Sequence, residues 1–208
     1  SDPDTTGTLS FTPTADQSGT ALITITVRDA GEDGALDTTD DGLTTETFTV
    51  VVNPVNDMPT MDEISDPTAI LEDDQVQQVN LLNVTAGGGE EQDLTVTVTS
   101  NDLSLISTPA ISYTSANTYG YVFYIPAADQ SGTADVTVTV TDTGLDGEAG
   151  TSDDGVLVRT FTVDITPVND PPTLDAIAEP LSIPEDSGQQ SISLAGIDAG
   201  GGETQLLE

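Results

Sequence analysis

The chain is a copy of itself displaced by 113 residues. Sliding the sequence by that amount puts PTADQSGTALITITVRD (13–29) on PAADQSGTADVTVTVTD (126–142). The same shift puts TDDGLTTETFTVVVNPVND (39–57) on SDDGVLVRTFTVDITPVND (152–170), with no gap. Of the 58 positions in 1–58 compared with 114–171, 29 are identical. The offset continues forward, carrying LEDDQ (71–75) onto PEDSG (184–188) and TAGGGE (85–90) onto DAGGGE (198–203). Identity this long is the mark of a tandem array, whose unit is the size of one small sandwich domain. The expected division is the second half of a repeat over 1–58, a complete repeat over 59–171, and the first third of another over 172–208. The last piece is too short to bury a core alone, so it belongs to a longer protein or is completed by another chain.

Within the repeat the pattern has period two. Val136, Val138 and Val140 alternate with Thr137, Thr139 and Thr141, and Ile23, Ile25 and Val27 do the same in the earlier copy. Such alternation gives a strand with one apolar and one hydroxylated face, and no stretch has helical spacing. The expected fold is all-β, a tandem antiparallel β-sandwich of the immunoglobulin-like kind. Seven strands are predicted in the complete repeat: A near 68–71, B near 76–84, C near 94–99, D near 106–113, E near 120–125, F near 133–141 and G near 156–166.

Alternating strand directions decide which loops meet. The A–B turn, the E–F turn and the exit linker share the bottom of each unit, and the B–C and F–G loops share the top with the incoming linker. At the second junction this gathers Glu72, Asp73 and Asp129 from below, Asn169 and Asp170 from the linker, and Asp198 and Glu203 from the next B–C loop. At the first it gathers Asp16, Asn56, Asp57 and Glu90 with the F–G acids.

Composition narrows what such acids can do. There are 37 acidic residues against two basic ones, a formal charge of −35, and no His or Cys. That charge opposes nucleic acid and anionic membranes, and no apolar run is long enough to span a bilayer. Without His or Cys the transition metals lose their usual ligands, and Ser-His-Asp or Cys-His catalysis is impossible. No enzymatic activity is expected. Oxygen ligands remain, the set that suits a hard cation such as Ca2+, six to eight of which would lock two units at a fixed angle. The competing reading is that the acids are a solubility coat.

The F–G loop has acids of its own. DTGLDG (142–147) followed by SDDG (152–155) spaces Asp142, Asp146, Asp153 and Asp154 around glycines, and the earlier copy has Asp29, Asp33, Asp40 and Asp41 with Asp37 in addition. The spacing is similar to calcium loops, without the EF-hand pattern or its helices. The alternative is a solvated hairpin rich in turn residues.

PEDS, ADQSG, the Asp ending strand F and PVNDPP stand in the order of the cadherin calcium motifs. AGGGE, FTPTADQSGTA and VNPVND are more like bacterial cadherin-like and immunoglobulin-like repeats of large surface adhesins. The resemblance implies an extracellular, cell-surface rod stiffened by calcium, a stalk or spacer. It places Glu72 and Glu185 at the cadherin Glu, Asp16 and Asp129 at the first acid of Asp-Arg-Glu, Asp29 and Asp142 at the strand F Asp, and Asn56-Asp57 and Asn169-Asp170 in the linker. ADQSG lacks the final Glu of Asp-Arg-Glu, and the linker lacks the leading Asp and last Asn. The expected partners are neighbouring repeats, or identical chains joined head-to-tail into a filament. A cell-surface glycan or protein is the other class, with Tyr119 and Tyr121 as its stacking surface, although strand packing is the role first expected of these tyrosines.

Overall fold

Alternating valine and threonine make each strand two-faced, and two such sheets close on one another between residues 59 and 171. The computed structural model describes residues 6–208. Its elements are β1 (Gly19–Arg28), β2 (Leu43–Val52), β3 (Ile70–Leu71), β4 (Gln77–Leu82), β5 (Leu94–Ser100), β6 (Ala110–Ser112), β7 (Tyr119–Tyr124), β8 (Gly132–Asp142) and β9 (Val156–Thr166). Among the described residues there is no helix, and so none long and apolar enough to cross a membrane.

The complete repeat is a β-sandwich. One sheet runs β3-β9-β8-β5 and the other β4-β7-β6. All pairings are antiparallel except β3 with β9, where Ile70 and Leu71 lie parallel to Ile165 and Thr166. The sheets bury Val136, Val138 and Val140 of β8 and Phe161, Val163 and Ile165 of β9 against Leu81, Val122 and Tyr124. Tyr124 and Phe161 meet across the interface with ring centroids 6.3 Å apart. Each such side chain contributes about 1.5–3 kcal/mol from leaving water.

The predicted strands are all present, but D is shorter than expected. Residues 106–109 are not strand: the Ile106 amide donates to the Asp102 carbonyl, and the Asp102 carboxylate takes the Ser104 amide at 2.8 Å. This turn, followed by Pro109 with no amide to donate, delays pairing until Ala110. Of the two tyrosines expected to pack, Tyr121 is half-buried between the Tyr119 and Phe123 rings, and Tyr119 differs. Val122 and Tyr124 of β7 point inward, whereas Tyr119 is 52% exposed on the outer face.

The earlier copy shows what the second sheet contributes. β1 and β2 pair from Gly19↔Val52 to Arg28↔Leu43, as β8 and β9 do. Yet Phe48 is 41% exposed where its counterpart Phe161 is 1% exposed, because no described strand lies across it. Residues 172–208 contain an isolated bridge, Thr173↔Asp198, matching Thr60↔Thr85 in the complete repeat, and no strand of their own.

Candidate functional site

The linkers are held to the following unit by one device used twice. Asp57 donates its amide to Glu90 Oε2 at 3.1 Å, and 113 residues later Asp170 donates its amide to Glu203 Oε2 at 3.3 Å. Gln92 Nε2 donates to Asn56 Oδ1 at 2.6 Å and to Glu90 Oε2 at 3.2 Å. Gln205 Nε2 does the same to Asn169 Oδ1 and Glu203 Oε2, both at 2.8 Å. These glutamines were not anticipated. The sequence carries the signal, since GGGEEQ and GGGETQ keep the Gln at the same offset, but an uncharged amide does not stand out among so many acids.

The glycines of the B–C loop explain how close the linker comes. A Cβ on Gly88 would collide with Asp57 Oδ2, and one on Gly201 with Asp170 Oδ2. Both have positive φ, 47° and 50°, which disfavours any larger residue. AGGG is therefore a surface against which the linker carboxylate lies.

At the first seam, Asp16, Asp57 and Glu90 line one cleft of about 350 Å3 between the end of β2, the linker and the B–C loop. Beside it, Asn56 Nδ2 donates to the Asp153 carbonyl at 2.8 Å and to Asp142 Oδ1 at 3.3 Å, tying the linker to the F–G loop. Asp142 is 1% exposed; its Oδ1 also accepts the Gly144 and Gly155 amides at 2.9 and 2.7 Å, while its enclosed Oδ2 has no hydrogen-bond partner.

At the second seam, Glu72 is 2% exposed and takes the Val168 amide on Oε1 at 2.7 Å, so the A–B turn grips the exit linker. Asp170 follows two residues later. It is half-buried, but its Oδ2 is enclosed and unpartnered. Burial pushes its pKa up, and the carboxylates of Asp129, Asp73, Glu203 and Glu72 push it further. Four acids therefore act on Asp170 across the junction. Asp198 is separate: it is exposed and its Oδ1 is taken by the Gly200 amide at 2.9 Å.

The remaining F–G acids are engaged within their own loops. Asp153 Oδ2 accepts the Leu145 amide at 2.9 Å and its Oδ1 the Thr151 hydroxyl at 2.8 Å. Asp40 repeats this with Glu32 and Thr38 at 2.8 and 2.7 Å. Asp154 and Asp41 take the amides of Gly150 and Asp37 at 2.6 and 2.7 Å, and Asp146 and Asp33 those of Glu148 and Ala35, both at 2.8 Å. Asp29 accepts from Gly31 and Gly42 at 3.0 and 2.8 Å, and Asp37 pairs with Arg28. Donated hydrogen bonds favour the ionised form. Accordingly the Gly42 and Gly31 amides hold the Asp29 pKa down, the Thr38 hydroxyl with the Glu32 amide does so for Asp40, and the Thr151 hydroxyl with the Leu145 amide for Asp153.

Among the described residues, no group of three or more acidic side chains is gathered tightly enough to hold a metal ion as it stands. The donors fit calcium in kind, being oxygens throughout, and the enclosed Oδ2 atoms of Asp142 and Asp170 are acceptors without a donor. A bound ion at the second seam would draw Glu72, Asp73, Asp129, Asp170 and Glu203 together, and one at the first would draw Asp16, Asp57 and Glu90.

No protein family model and no curated protein matches the chain. Solved structures with a similar course include the S-layer protein SbsC domains 4 and 5, at TM-score 0.36 and 16% identity over 71% of this chain and 65% of that one. A longer S-layer protein rSbsC(31-844) gives 0.38 and 15%, and the chain spans only 18% of its length. Human mucin-like protocadherin EC1-2 gives 0.38 and 17% over 65% of this chain and 64% of that one. A likeness this loose says nothing about function.

Proposed function

We propose that this chain is a segment of an extracellular structural rod whose repeats are locked end to end by calcium at the linkers. The observation that supports it best is the Asp170 carboxylate, with one enclosed oxygen lacking a donor and four other acids raising its pKa. Glu72 is buried and Asp170 half-buried, which acids placed for solubility alone would not be. Calcium would supply the positive charge that offsets their repulsion.

The chain's own residues do the rest. Gln92 and Gln205 orient the linker Asn and the B–C loop Glu, and Gly88 and Gly201 let the linker Asp approach. Glu72 fixes the exit linker from below through the Val168 amide. The second linker is thereby held on both sides, which suits a stalk or spacer that keeps its direction.

A thermal melt of the whole chain in millimolar calcium, in chelator and in magnesium tests this. Calcium at a hundredfold excess over Kd should stabilise by about 2.7 kcal/mol per site, with little effect from magnesium. Identical melts in all three would overturn the proposal.

A further inference from the structure

The outer face of the three-stranded sheet carries a row of aromatic rings that the fold does not need. Tyr119, Tyr121 and Phe123 alternate with the inward Val122 and Tyr124, and the rings follow one another at centroid separations of 6.2 and 6.1 Å. Across the pairing, Leu82 stands opposite Tyr119, Asn80 opposite Tyr121 and Gln78 opposite Phe123. Gln78 Nε2 donates to Asn80 Oδ1 at 3.0 Å, aligning the two amides beside the rings. A shallow cleft of about 600 Å3 runs along this border.

The repeat provides an internal control. At the 113-residue offset the inward positions stay apolar, Leu9 for Val122 and Phe11 for Tyr124. The outward ones do not: Thr6, Thr8 and Ser10 stand for Tyr119, Tyr121 and Phe123. In the following copy Ser191 and Ser193 stand for Gln78 and Asn80. Small polar residues therefore suit the same outward positions, and the rings and amides are particular to this repeat.

We propose that this face binds a neutral polysaccharide. Tyrosine rings offer apolar faces for the C–H surfaces of sugar rings and hydroxyls at their rims, while Asn80 and Gln78 offer both donors and acceptors to sugar hydroxyls. The row is linear, as the ligand would be. Charge selects among occupants. β4, β6 and β7 contain no Asp or Glu, leaving an uncharged strip on a chain of net charge −35. Nucleic acid, which also stacks on aromatic rings, is repelled, and so are anionic glycans and a second copy of this chain.

The test is affinity electrophoresis of the whole chain through gels containing β-1,4-glucan, β-1,3-glucan, mannan or galactan, with heparin as the anionic comparison. At least one neutral polysaccharide should retard the chain, and heparin should not. Tyr119→Thr with Tyr121→Thr, the residues of the earlier copy, should weaken retardation by about tenfold. Tyr119→Phe with Tyr121→Phe retains the rings and should keep most of it. Circular dichroism melts of both double variants should match the parent, separating lost binding from lost fold. The proposal fails if no neutral polysaccharide retards the chain, or if the threonine variant is retarded as strongly as the parent. It also fails if the tyrosines act instead in concentration-dependent self-association that the threonine variant abolishes.

Discussion

In the loop between β8 and β9, Asp153 receives the Leu145 amide and the Thr151 hydroxyl, and its pKa is lowered. At the second seam, Asp170 has one oxygen without a donor, faces four other acids, and its pKa is raised. The two regions are built from the same residue type, and the contrast lies in what surrounds it. In the loop the carboxylates replace missing backbone hydrogen bonds and make a turn out of a glycine-rich stretch. At the seam they come from loops far apart in sequence; Glu72 and Glu203 take the Val168 and Asp170 amides, but Asp170 Oδ2 has no donor. An acidic run can thus serve only to make turns, and the proposed calcium site rests instead on the enclosed, unmatched acceptor at the junction.

Asp142 belongs to both regions, and its removal should have the largest effect. Asp142→Ala leaves the buried Gly144 and Gly155 amides without an acceptor and removes one of the two bonds that tie Asn56 to the loop. A loss of about 3 kcal/mol in urea unfolding is expected. A loss below 1 kcal/mol would mean that the loop is not anchored through this side chain.

Next comes Gly88→Ala, which sets a methyl group against the Asp57 carboxylate at a positive φ. It should cost about 2 kcal/mol and diminish the calcium response at the first seam. Thr151→Ala should be milder, about 1 kcal/mol by the same unfolding measurement, and should leave the calcium response intact. If the two variants affected calcium equally, seam and loop would not be distinct.

Acid separates the regions by sign. Asp29, Asp40 and Asp153 have folded pKa values below 3.8, so their contribution is present above 3.8 and is lost as pH falls through the lower folded values. Asp170 is raised above 3.8, so its penalty is present at neutral pH and is relieved as pH falls through its folded value towards 3.8. In chelator, hydrogen exchange should show the second seam tightening on mild acidification while the loops loosen only below it. Seam and loop protection changing together would contradict this.

Much of the fold was legible because the repeat and the Val/Thr alternation report on backbone geometry directly. The short β6 was not, since the Asp102 turn competes with pairing locally and period-two counting does not see it. Of the acids expected at the second seam, Asp129, Asp73, Glu203 and Glu72 lie near enough to act on Asp170, because loop ends follow from strand direction, whereas Asp198 stands apart with the Gly200 amide on its Oδ1. The engagement of Asp146, Asp153 and Asp154 with their own amides depends on loop dihedrals that spacing does not reveal. The exposure of Tyr119 is set by register, since alternation with the inward Val122 and Tyr124 decides its face.

The most direct test is calcium titration calorimetry on three chains: the parent, a seam variant carrying Asp57→Asn and Asp170→Asn, and a loop variant carrying Asp40→Asn and Asp153→Asn. The account predicts heat from the parent, nearly unchanged heat from the loop variant and little from the seam variant. Calcium heat that survives the seam substitutions and disappears with the loop ones would contradict it.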